Sequence, residues 1–251
     1  MIPVDLPKFP TQPGYMTEKI QGDYIQAAMA KNLLPAQAHR MADILSLTAP
    51  SDVSKPIQFW QLYSVLGQDA IMEIVKSFYQ RVFAQDDWFK SVFERVGGID
   101  RHIDTQASMW IDVMGGGPYY HGAEVRLNIH HTHNAMQLMN DKGAELWSRL
   151  LRETLDSSSH LAAADPRIRL SINTFLSFFM SKYAKDFAFE NRNFFGETNP
   201  PYKRRINFMK MTEQAIQALS ETELAEALSE QGVDVTQYEG KAAKVNKALM
   251  M

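Results

Sequence analysis

Histidine is the residue type in this chain best suited to chemistry, and three of the seven stand together in His130-His131-Thr132-His133. A neutral imidazole ligates transition metals and titrates near neutrality, so this cluster is the place to look for a metal or proton-transfer site. On a helix turning about 100° per residue, His133 shares an apolar face with Ile129 and Met136, His130 lies about 60° round from it, and His131 points away. His130 and His133 together could approach one bare metal ion, but the other ligands such sites need are missing. No Glu stands three residues before any histidine, as a di-iron bundle requires, and H-E-x-x-H does not occur. The chain has no cysteine, which excludes disulfides, thiolate zinc sites, iron-sulfur clusters, cysteine nucleophiles and covalently attached c-type haem. There is no G-x-S-x-G elbow, and Gly115 to Gly117 follow no strand and do not match G-x-G-x-x-G. No reductase module is recognisable, so any redox turnover would draw on an external electron donor.

Most of these residues lie in helical patterns. Between Ile57 and Glu190 the apolar residues recur with a period near 3.6 and without sustained alternation, which predicts an all-α core. Ile71, Ile74, Val75, Phe78, Tyr79, Val82 and Phe83 form one broad buried face. A second helix carries Ile103, Ala107, Trp110 and Val113 and must stop at Gly115-Gly116-Gly117-Pro118. A third runs from Leu146 to Leu155, and a long one after Asp165-Pro166 carries Phe175, Phe178, Phe179, Tyr183 and Phe187, an aromatic stripe that reads as core packing.

Outside this core, Pro3, Pro7, Pro10 and Pro13 predict an extended arm. Two helical pieces then run to about Leu47, and a linker follows from Thr48 to Pro56. Asn191 to Pro201 reads as a loop and Lys203-Arg204-Arg205 as solvated surface, while Ser220 and Glu223 have capping-box spacing before a helix ending near Gly232. A further helix is expected from Lys241 to Met250. The division expected is a helical extension (1–56), a core domain (57–190) and a loop with a helical tail (191–251). The formal net charge of -3 offers no surplus for a phosphate backbone, so nucleic acid is not an expected partner. The absence of a signal-like start or an 18-residue apolar run predicts a cytoplasmic protein with no membrane span.

Several ordered features of the core resemble the truncated, two-over-two haemoglobins, in particular their group II. Leu62-Tyr63-Ser64-Val65-Leu66-Gly67 and Ile71 to Val75 are similar to the family's opening helices, and Phe78-Tyr79 to its distal Phe-Tyr pair. Asp86 to Phe93 looks like the corner whose last aromatic packs on haem, one residue longer here. Trp110-Ile111 leads into Gly116-Gly117-Pro118 and Tyr120, like the glycine motif between distal and proximal helices. His133, Met136 and Leu138 then reproduce the proximal spacing, and Trp147 falls near the place of the group II distal tryptophan.

The resemblance implies a globin fold holding non-covalent haem b, with His133 as the iron ligand and Phe78, Phe93, Trp110, Met136 and Leu138 walling the pocket. Tyr79 and Trp147 would donate hydrogen bonds to a bound diatomic such as O2 or NO. The usual distal position falls at Ile103, with His102 and Gln106 flanking it, and His102 would close the sixth site if the register were shifted by one. Thr132 stands where a basic residue is usual, which leaves Arg126, His130 and His131 as partners for the haem carboxylates. The implied function is diatomic-ligand binding, extending to NO detoxification or peroxidase-like turnover with an external reductant. The different-class alternative is a haem-free globin fold acting as a regulatory or scaffold module. Its docking surfaces would be the extensions, where Leu33, Leu34, Ile44, Leu45, Leu219, Leu224, Leu228 and Val233 look made for burial against the core or in a homodimer.

Overall fold

A computed structural model describes residues 12–31, 33–34, 38–163, 165–200 and 206–251. The proline arm before residue 12 and the Lys203-Arg204-Arg205 run lie outside the described residues. The chain divides into two compact units, Met1–Pro201 and Tyr202–Met251. Among the described residues there is no β-strand, and no helix is long and apolar enough to cross a membrane. The all-α class expected from the periodicity is the class observed.

In the first unit α1 (Tyr15–Ala30) buries Met16, Ile20, Ile25 and Ala28, and α2 (Ala42–Leu45) is a single turn. α3 (Tyr63–Phe83) breaks at Gly67, whose φ of 71° a residue with a side chain rarely adopts, and then buries Ile71, Ile74, Val75, Phe78, Tyr79 and Val82. α4 (Asp87–Arg95) and α5 (Gly98–Val113) follow, with α3 packed against both α5 and α7 (Asp141–Ser157). The three-glycine turn ends α5 for a steric reason: a Cβ on Gly115 would stand 2.1 Å from the Trp60 carbonyl oxygen.

α6 (Ala123–Ile129) is short and passes into a π-helical turn, His130–Asn134, before Asn140 caps α7 by accepting from the Gly143 N–H at 3.0 Å. α8 (Arg167–Phe187) ends in left-handed Ala188, and the chain returns along the unit as an irregular strap. Buried Phe189, Phe194 and Phe195 hold this strap, together with Asn199 Nδ2 donating to the Ile57 carbonyl at 2.6 Å and Asn173 Nδ2 to the Glu197 carbonyl at 2.9 Å.

The second unit contains α9 (Glu213–Ala218), α10 (Glu221–Glu230) and α11 (Gly240–Leu249) around Phe208, Ile216, Leu219, Leu224, Leu228 and Val245. The predicted capping box opens α10: the Glu223 N–H donates to Ser220 Oγ at 3.2 Å and the Ser220 N–H to Glu223 Oε2 at 2.7 Å.

Candidate functional site

A cavity of about 470 Å³ lies inside the first unit, a size ordinary for a small-molecule or cofactor site. The helical period places His102, Thr105, Gln106, Met109 and Trp110 of α5 on one wall. Tyr79 comes from α3, Phe89 and Phe93 from α4, Leu138 from the turn before α7, and Trp147 from α7. Phe175, Phe179, Met180 and Tyr183 of α8 also face the cavity, and Phe189 of the strap closes in beside them. Aromatic edges brace these walls: Trp110 meets Phe175 at 5.0 Å between ring centroids, and Phe78 stands behind the lining against Tyr79 (5.2 Å) and Trp147 (5.5 Å).

Three imidazoles give the cavity its chemistry, His102 buried and His130 and His131 half-buried. His102 sits among Phe93 (5.2 Å), Tyr79 (5.4 Å) and His130 (6.5 Å), and its Nε2 is buried without a hydrogen-bond partner. Burial, then His130 and Arg101, push its pKa down to about 4. His131 lies against the Tyr183 ring at 4.3 Å, and its Nδ1 is likewise buried and unpartnered. Burial and His130 push His131 down to about 3, opposed by the Leu127 carbonyl four residues earlier. Both rings are therefore neutral near pH 7, the state in which imidazole binds a metal. Burial raises the Tyr79 hydroxyl well above its ordinary pKa, so it remains a donor, and it donates to Gln106 Oε1 at 3.3 Å.

Of the residues expected at the site, Tyr79, Phe93, Trp110, Leu138, Trp147 and Gln106 line the cavity. His133 does not: it is exposed, with its Nδ1 2.8 Å from Thr132 Oγ1. Met136 is 55% exposed and also off the cavity. The face expected to be buried is mostly outward: His133 and Met136 are exposed and off the cavity, and Ile129, though at the cavity's edge, is 53% exposed, while Leu127 and His131, four residues apart, turn inward. The π-helical turn beginning at His130 further breaks the regular period that put His133 on the face of Ile129 and Met136. Ile103 is not among the lining residues, and its neighbour His102 is. The aromatic stripe of α8, read as core packing, serves both roles, since Phe175, Phe179 and Tyr183 reach the cavity while Phe178 packs on Phe59 at 5.6 Å.

The lining suits haem, a broad apolar disc with two carboxylates and an iron that takes a neutral imidazole. The walls are apolar and aromatic, buried imidazole nitrogens stand without partners, and Arg101 and Arg126 bring cations to the cavity. Among the described residues no group of three His, Asp or Glu side chains is placed to hold a bare ion. An all-helical unit around an aromatic, histidine-faced cavity defines a globin-type pocket. Residues 61–181, which span α3 to most of α8, match the family model of the bacterial-like globins, and this segment of the chain belongs to that family. No solved structure matches the chain.

Proposed function

We propose that the protein holds haem b in this cavity with His131 as the iron ligand, and that O2, NO or a similar diatomic binds on the side of Tyr79, Gln106 and His102. The observation that carries the reading is the neutral, half-buried His131 imidazole, whose Nδ1 is buried without a partner at an apolar cavity. Haem bound there would supply reversible diatomic binding and, given an external electron donor, one-electron chemistry such as NO detoxification or peroxide reduction. The chain's own residues shape that chemistry. The Tyr79 hydroxyl, which donates to Gln106 Oε1 while no ligand is bound, would turn its one proton to the diatomic, Arg101 and Arg126 offer partners to the haem carboxylates, and the aromatic walls exclude water. Tyr79, Phe93 and His102 are stacked edge to face, so His102 is held beside the ligand side in its neutral form.

Absorption spectra of the protein supplied with haem test this reading in the oxidised, reduced and CO-treated states. A strong Soret band that shifts under CO is expected. A reduced spectrum of six-coordinate type would assign His102 to the sixth position, and a five-coordinate one would leave that position to the ligand. A protein that stays colourless with added hemin overturns the proposal and leaves the globin fold as a scaffold.

A further inference from the structure

Asp112 lies at the C-terminal end of α5, fully buried, yet among the described residues no cation pairs with it. Its carboxylate is satisfied by backbone N–H groups from two distant segments. Oδ1 accepts from Met16 (2.7 Å) and Thr17 (3.3 Å) in the first turn of α1, and Oδ2 from Tyr120 (3.1 Å) in the turn that leads into α6. Thr17 Oγ1 in turn donates to the Asp112 backbone carbonyl. All these carboxylate partners are donors, the pattern that suits an acceptor-only ionised carboxylate and that aims negative charge at a helix N-terminus. Gly14 completes the junction: a Cβ there would fall 2.2 Å from Asp112 Oδ1 and 2.7 Å from the Gly117 carbonyl oxygen. The start of α1 is thus pressed between the end of α5 and the glycine turn, where only glycine fits.

Further contacts run from α1 to the same stretch of chain. Tyr15 meets the His121 ring at 5.8 Å, and Lys19 pairs with Glu124 of α6 at 3.7 Å. Tyr120 lines the cavity, and Arg126 of α6 lies over its ring at 4.8 Å. The first residue of α6, Ala123, is entered at φ 42°, a conformation that persists only where its surroundings hold it. His131 follows α6 with only the start of the π-helical turn between them.

We infer that Asp112 is a positioning residue for the histidine side of the cavity: it pins the N-terminal helix and the Tyr120 turn to one another, and so fixes α6 and the orientation of His131. The helix before the family segment then has a definite task, as a buttress of the site. The pin itself stands on the hydrogen bonds alone; its effect on haem rests on the reading of His131 as iron ligand.

The test uses full-length protein carrying Asp112→Asn, which places an amide NH2 against a backbone donor, or Gly14→Ala, which wedges the junction without altering the carboxylate. Leu151→Ala, in α7 and off the cavity, is the control for general loss of stability. Amide exchange is measured by mass spectrometry over residues 118–131, and the iron–imidazole stretching frequency by resonance Raman on the reduced, haem-loaded protein. Both latch variants are expected to exchange roughly tenfold faster in that stretch, as for loss of one hydrogen bond to a charged group, and to shift the iron–imidazole frequency. Leu151→Ala should leave the frequency unchanged. Wild-type frequencies in both latch variants would overturn the positioning role, and wild-type exchange would overturn the pin itself. Failure of the wild type to take up haem would overturn the haem reading instead, and exchange would still decide the pin.

Discussion

Acid should loosen the haem-free protein through His102, by an amount the structure bounds. The ring has a folded pKa of about 4 against an ordinary 6.5, because it is buried beside Phe93, Tyr79 and His130. Between those values the unfolded chain binds a proton that the folded chain refuses. The neutral ring's contribution is therefore fully present above about pH 6.5 and is lost as pH falls toward about 4. A gap of about 2.5 pH units, at about 1.36 kcal/mol per unit, gives a loss of about 3 kcal/mol. Urea unfolding followed by helical circular dichroism at several pH values measures it, with His102→Phe as the comparison. The cavity beside residue 102 offers space for the larger ring, and titrating groups remote from residue 102 largely cancel in the difference, leaving His102 with its neighbour His130. The wild type should lose about 3 kcal/mol more than the variant between about pH 6.5 and 4. Parallel pH profiles would refute the reasoning, showing that His102 is solvated in the folded protein.

Other perturbations have equally definite outcomes. Tyr79→Phe removes the hydroxyl aimed at the ligand side and should speed diatomic release roughly tenfold in flash-photolysis or stopped-flow measurements, as for loss of one hydrogen bond. Phe175→Ala removes a 1% exposed ring that braces Trp110 and lines the cavity, and should cost about 3–5 kcal/mol in chemical denaturation. Leu224→Ala, fully buried in the second unit, should cost about 2–5 kcal/mol. That approaches the whole stability of so small a unit, so proteolysis should nick residues 202–251 while the spectrum of the cavity is unchanged.

The sequence was legible where a local rule and the tertiary structure agree. Tyr79, Trp110 and Trp147 line the cavity and the Ser220–Glu223 box caps its helix, all on regular helices whose period holds, whereas Phe78, expected in the pocket wall, packs behind it on Tyr79 and Trp147. It misled where regularity ends. The resemblance pointed to His133, and the helical period put it on the Ile129–Met136 face, whereas α6 stops at Ile129 and the histidines of this stretch that line the cavity are His130 and His131. The resemblance put the distal position at Ile103, but the cavity face of α5 is the set containing His102, Gln106 and Met109. Nothing in periodicity separates an aromatic that fills a core from one that lines a cavity within it, which is why α8 read as packing alone. The Asp112 junction joins residues about a hundred positions apart, and no local pattern announces it.

The most direct measurement compares His131→Ala with His133→Ala, each loaded with haem and reduced. The account predicts that His133→Ala keeps the wild-type Soret band and CO shift, while His131→Ala loses the iron–imidazole bond and regains it on addition of free imidazole. A wild-type spectrum for His131→Ala together with loss of the band in His133→Ala would contradict it.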